Sequence, residues 1–352
     1  MHEPRFLKFV IKVDEEVANH MQIAEDELAE CLGVFKRHYS TILRIFDYCC
    51  AVGDTWGKAA YSVDSRSYTM LLATAGITDT VKLTVEDERR IFTVCNMENH
   101  NIDDEYHPAH SQQDELNPDN CLMRFEFMEA LVRLAVHRYG YKAKHLDVSE
   151  CLEKLLTTLV GAEPLIEASL DANVFRADHF YNKKVEAVLK RYLAHLRTLF
   201  EDFSSTHTME RRMKHRFGLE EALKLMKSAR ILGHHISIRE TRYAFFRSRM
   251  VVANEVLDWE KFTSLSFVEY LEFLARCADA MDIPTSEEME AAGVSDLQHY
   301  FAGAHRRVGA SKGGKTPFKI GSCSRPLEEK LDLFLRYLFV NLPSSELEKK
   351  LS

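Results

Sequence analysis

The sequence predicts an all-α chain made of two tandem helical modules with long loops. Three observations carry this. Apolar residues recur at helical spacing along the chain. Blocks of that pattern return in the same order in the second half. Helix breakers are scarce, with 8 Pro and 14 Gly in 352 residues. The clearest stripe lies in FEFMEALVRLAVH, at Phe127, Ala130, Leu131, Leu134 and Ala135. That i, i+3, i+4, i+7, i+8 spacing puts the side chains on one helix face. It returns in LSFVEYLEFLARCA at Phe267, Tyr270, Leu271, Leu274 and Ala275. Each stripe has a Glu two places after its first residue, Glu129 and Glu269.

The repeat extends around these helices. KRHYSTILRIF (Lys36 to Phe46) matches KRYLAHLRTLF (Lys190 to Phe200), and LTVEDERRIF matches ISIRETRYAF at nearly the same spacing. That spacing is about 154 positions. A later helix follows each copy, with Leu152, Leu155, Leu156 and Leu159 answering to Leu331, Phe334, Leu335 and Leu338. Four blocks in conserved order indicate duplication rather than chance likeness of helices. The reading is a first module over residues 1–172 and a second over 173–352, the second with a long basic loop.

In chain order, Val13 to Ala51 reads as helix, and Val52 to Ser65 as a connection containing Gly53 and Gly57. A short helix from Tyr68 to Ala75 ends near Gly76, suited to a left-handed C-cap. Thr84 opens a helix whose first turn holds Glu86, Asp87 and Glu88, which favour the positive end of the helix dipole. Its counterpart Ser237 has Glu240 three residues on, a capping box. Residues 96–120 are polar and read as a loop. No strand longer than two or three residues is expected.

Several function classes are set aside. Hydrophobic content of 46% with 28% charged residues is globular. A formal net charge of -8 disfavours general nucleic-acid binding. No apolar run approaches the roughly 18 residues a membrane span needs, and the charged N-terminus does not read as a signal peptide. The 8 Cys form no CxxC pair and read as buried, reduced thiols. Gly309 to Thr316, GASKGGKT, fits the P-loop expression, with Lys315 as its lysine. The buried strand and the helix that should flank it are missing, so a basic loop is expected. His100, His107 and His110 share a loop with Asp103, Asp104 and Glu105, but their spacing fixes no zinc geometry.

The helix–loop–helix phrases LTVEDERRIF…FEFMEALVRLA and ISIRETRYAFF…LSFVEYLEFLA resemble paired EF-hands. In the second copy, Asp258, Glu260, Phe262, Thr263, Leu265 and Glu269 fall at loop positions 1, 3, 5, 6, 8 and 12. Phe262 has no side-chain oxygen to offer, and Thr263 stands where a Gly is needed. In the first copy Pro118 takes the place of the first carboxylate, followed by Asn120 and Leu122, with Glu129 last. The resemblance therefore implies the fold without the calcium site. Phrases of the type F-x-E-[A/Y]-L-x-x-L-A also resemble proteins of protist ciliary and flagellar axonemes. That likeness implies a structural, non-catalytic partner on doublet microtubules, in the cytoplasm and cytoskeleton, whose partners are other axonemal proteins and tubulin. No catalytic, cofactor or metal residues are expected. The alternative is a calcium-responsive EF-hand regulator working through Asp258 to Glu269. The basic cluster Arg211, Arg212, Lys214 and Arg216 is the candidate contact patch for an acidic partner such as a tubulin tail; the blander reading is a solvated or salt-bridged connection.

Overall fold

In the computed structural model the described residues are 21–96, 118, 120–140, 147–162, 165, 171–209, 212–303 and 325–342. For 21–26, 28, 205–209 and 212–215 the description is of backbone alone. Helix dominates, and strand is confined among these residues to five short segments. The chain divides into two compact units, Met1–Leu170 and Asp171–Ser352.

The first unit opens with α1 (Met21–Val52), then a 3₁₀ turn (Gly57–Tyr61), β1 (Val63–Asp64) and α2 (Ser65–Thr74). A second pair follows: α3 (Val85–Asn96), β2 (Cys121–Leu122) and α4 (Arg124–Tyr139). The two inter-helix loops meet through an antiparallel bridge, Val63 to Leu122 and Asp64 to Cys121. The closing helix α5 (Val148–Gly161) packs along both α4 and α1. Its stripe residues Leu152, Leu155, Leu156 and Leu159 are all buried, each contributing roughly 1.5–3 kcal/mol of transfer free energy.

The second unit begins with α6 (Ala172–Phe175), which runs into a wide turn at Arg176–Phe180. Next come α7 (Lys183–Arg191), α8 (Leu193–Phe203), β3 (Ser205–Met209), β4 (Arg212–Gly218) and α9 (Leu219–Ser228). Its second pair is α10 (Ile238–Ser248), α11 (Trp259–Thr263), β5 (Ser264–Leu265) and α12 (Phe267–Ala280). Here too the loops bridge antiparallel, Phe217 to Leu265 and Gly218 to Ser264. After α13 (Ser286–Ala291) and α14 (Leu297–Ala302), the closing helix α15 (Leu327–Asn341) packs on α12 and α7.

Matching contacts recur in the two units. Arg37 Nη2 donates to Glu153 at 2.7 Å, and His38 Nε2 lies 2.7 Å from the same carboxylate. At the corresponding places Arg191 Nη1 and the Tyr192 hydroxyl donate to Asp332, at 2.7 and 3.0 Å. Both short helices end in one cap. After α2, Ile77 N–H donates to Leu72 and Gly76 N–H to Ala73. After α9, Ile231 N–H donates to Met226 and Arg230 N–H to Lys227. This double bond needs a left-handed residue; Gly76 has φ +65° and Arg230 φ +56°.

Two expectations change. The strands Ser205–Met209 and Arg212–Gly218 pair as an antiparallel hairpin, from Ser205–Arg216 to Met209–Arg212. Its strands carry polar and basic residues with little apolar alternation, the signal by which strands are recognised. The two long stripes also align three residues away from the expected register. Leu122 and Leu265 hold the same bridge position, so Phe127 corresponds to Tyr270, not Phe267. Phe127 and Tyr270 are fully buried. Phe127 packs edge-on to Phe46 at 5.7 Å, and Tyr270 packs on Phe200 at 5.3 Å. A three-residue slip turns a helix by only about 60°, so two stripes look in phase when they are not.

Candidate functional site

The loop from Asp258 to Glu269 is where the sequence pattern would seat a cation. The structure fills it with protein groups. Arg249 is buried, and its guanidinium lies 4.8 Å from the Phe246 ring centre and 4.3 Å from that of Phe262. It also donates to the carbonyl of Phe262. A positive charge held between two aromatic faces is a stable arrangement once desolvated. The carboxylates around it are engaged elsewhere. Asp258 pairs with Lys261 at 2.6 Å, and Glu260 pairs with Arg216. Glu269 accepts the Met250 N–H on one oxygen and the Ser266 N–H on the other, each at 2.6 Å. With Ser266 it forms the capping box that opens α12. Both oxygens that would grip an ion in bidentate fashion thus close the loop by accepting backbone donors.

In the first unit the same corner is described only at Pro118 and from Asn120 onward. Asn120 takes the left-handed conformation, φ +66°. Glu126, not Glu129, occupies the place of Glu269: it accepts the Met123 N–H at 2.8 Å and lies in the first turn of α4. Glu129 instead pairs with Arg133 one turn on, as Glu272 pairs with Arg276. At the first loop, Asp64 accepts the Ser67 N–H at 2.7 Å and the Asp54 N–H at 3.3 Å. A Cβ at Gly53 would lie 2.7 Å from Asp64 Oδ2, so this close approach requires glycine.

Of the basic cluster, Arg211 lies outside the described residues. Arg212, Lys214 and Arg216 occupy alternate positions of β4, facing Met209, His207 and Ser205 in register. Arg216 is already paired with Glu260. The P-loop-like stretch with Lys315 and the histidines 100, 107 and 110 also lie outside the described residues. His235 contacts the Tyr337 hydroxyl at 3.0 Å and stacks on Phe301 at 4.1 Å, a packing role.

Seven of the cysteines are buried and form no disulfide among the described residues. Burial, with Glu27 beside it, pushes the Cys31 thiol up to about 12. Such thiols are poor nucleophiles. Among the described residues, Glu27, Glu30 and Asp147 form a carboxylate cluster. Glu27 accepts the Val148 and Ser149 N–H groups at 2.5 and 3.1 Å. The cluster thus sits at the donor end of α5, where anions are favoured without any ion. No described helix is long and apolar enough to cross a membrane.

Comparison with family models, with curated proteins and with solved structures found no match.

Proposed function

We propose that the chain is a tandem of two EF-hand-like modules that serves as a structural, non-catalytic scaffold of the ciliary or flagellar axoneme, acting through protein contacts. Each unit joins two helix–loop–helix pairs by a short antiparallel bridge between their loops, which supports the EF-hand-like reading. The observation that supports the non-sensing part is Glu269, which accepts two backbone N–H groups, while the Arg249 guanidinium packs on the Phe262 ring and donates to the Phe262 carbonyl. A calcium-responsive regulator would need those oxygens free.

The contact element in this reading is the hairpin Ser205–Gly218. Its cations at alternate strand positions suit an acidic partner, and the acidic tails of tubulin on doublet microtubules are the proposed one. Two experiments test it. A tagged copy is expected along the length of cilia; a diffuse cytoplasmic pool would contradict the assignment. The purified chain is expected to sediment with microtubules and to lose about tenfold in affinity on R212E/K214E. Unchanged sedimentation in that variant would remove the hairpin from the contact.

A further inference from the structure

The second unit contains a filled arginine-binding site. The Glu272 carboxylate accepts Arg276 Nε on Oε1 at 2.9 Å and Arg176 Nε on Oε2 at 2.8 Å. Arg176 Nη2 also donates to the carbonyls of Arg247 and Ser248, at 3.3 and 3.5 Å. These belong to the last turn of α10, whose dipole presents its negative end there. The preceding residue, Phe175, lies under the Arg276 guanidinium at 4.3 Å, and Arg276 Nη2 donates to the Ala172 carbonyl at 3.0 Å. Burial is deep enough to hold the Arg276 pKa down at about 10 in spite of Glu272. One aromatic–arginine step therefore completes a carboxylate, a helix end and a stacked cation together.

The first unit has the same receiving groups. Glu129 accepts Arg133 Nε and Nη2 on Oε1, at 2.9 and 2.7 Å. Its Oε2 has no hydrogen-bond partner among the described residues. The Val94 and Cys95 carbonyls lie in the last turn of α3, at the places of Arg247 and Ser248 in α10. Exposure tracks the difference: Glu129 and Arg133 are 16% and 24% exposed, against 5% and 10% for Glu272 and Arg276. Burial raises the Glu129 pKa even though Arg133 opposes it, the behaviour of a carboxylate short of cationic partners.

We infer that Glu129, with the last turn of α3, is a docking site for a partner protein segment bearing an arginine directly after an aromatic residue. Charge complementarity and the filled counterpart in the second unit define that occupant. The site is independent of the ciliary assignment.

The test uses a fluorescently labelled synthetic peptide of the chain's own segment Asp171–Asn182 as probe for the full-length protein, read by anisotropy. Saturable binding is expected, weakened at least tenfold by Arg176→Ala in the peptide and by Glu129→Gln in the protein. Glu272→Gln is expected to leave it unchanged. Absence of saturable binding, or indifference to Glu129→Gln, would overturn the site. Sensitivity to Glu272→Gln alone would mean exchange into the second unit and would overturn it equally. Binding seen only after removal of residues 1–20 would make the occupant this chain's own N-terminal segment and refute a separate partner.

Discussion

Where the closing helix meets the exit helix, the two units differ in kind. The second places Lys330, 1% exposed, against Asp279 at 3.0 Å. At the corresponding positions the first has Cys151, which is buried, and Val136. The pattern is wider than this pair. Six of the eight cysteines lie in the first unit, whereas the second buries Arg242, Arg247, Arg249, Glu272 and Lys330. One architecture therefore tolerates either small apolar thiols or matched charges at its seams. The difference teaches that the shared apolar stripes hold the fold, while the polar interior adds register and local latches. A buried ion pair seldom adds net stability over an apolar pair, but removing one partner leaves a charge without compensation.

That contrast can be broken directly. Asp279→Ala should destabilise the second unit by about 3–5 kcal/mol, since Lys330 is left charged and buried. The double swap Asp279→Val with Lys330→Cys copies the first unit. It should recover most of that loss or exceed the parent, by an amount on the order of 1–4 kcal/mol. Denaturant unfolding followed by circular dichroism measures both. A swap as harmful as the single change would show that the two seams are not equivalent.

The first unit has its own buried charge problem. Glu88 is fully buried, and one of its oxygens accepts the Thr78 hydroxyl while the other has no hydrogen-bond partner. Burial raises its pKa to about 7, with Arg89 pulling weakly the other way. In the second unit the corresponding residue is Thr241, whose hydroxyl donates to the Ser237 carbonyl at 3.0 Å. The folded pKa of Glu88 stands above the unfolded value of about 4.3. Its stability contribution is therefore complete below that value and is lost as pH rises through about 7. Between pH 5 and 9 the first unit should weaken by on the order of 2–3 kcal/mol. Glu88→Gln should flatten this slope in calorimetric melts across that range. An equal slope in the variant would place the linkage elsewhere.

The smallest effect concerns the paired caps. Arg230 is exposed and holds a left-handed conformation that Gly76 adopts without strain. Arg230→Gly should stabilise the second unit by about 1 kcal/mol, and Gly76→Arg should destabilise the first by a similar amount. Chemical denaturation midpoints decide it; effects of the same sign would break the equivalence of the two caps.

Much of the fold was legible because apolar spacing is a strong signal. The stripe of α5 and that of α15 are buried as read. The cap at Gly76 and the box at Ser237 and Glu240 were visible because each needs particular residue types. The register of α4 against α12 was not, since helical periodicity nearly survives a three-residue slip and only the loop bridge fixes it. The hairpin was missed because its strands have no apolar alternation. In the candidate loop, the missing oxygen at Phe262 and the missing glycine at Thr263 were readable, but the position of Arg249 was not. Arg249 lies outside the loop positions that the pattern considers, and only folding brings it between Phe246 and Phe262.

The central claim is that both modules keep a paired helix–loop–helix frame whose loop oxygens serve the protein itself. Isothermal titration of calcium into the full-length chain tests it most directly. The account expects no saturable heat up to millimolar calcium, in the parent and in Glu269→Gln alike. A micromolar isotherm that disappears in Glu269→Gln would contradict it.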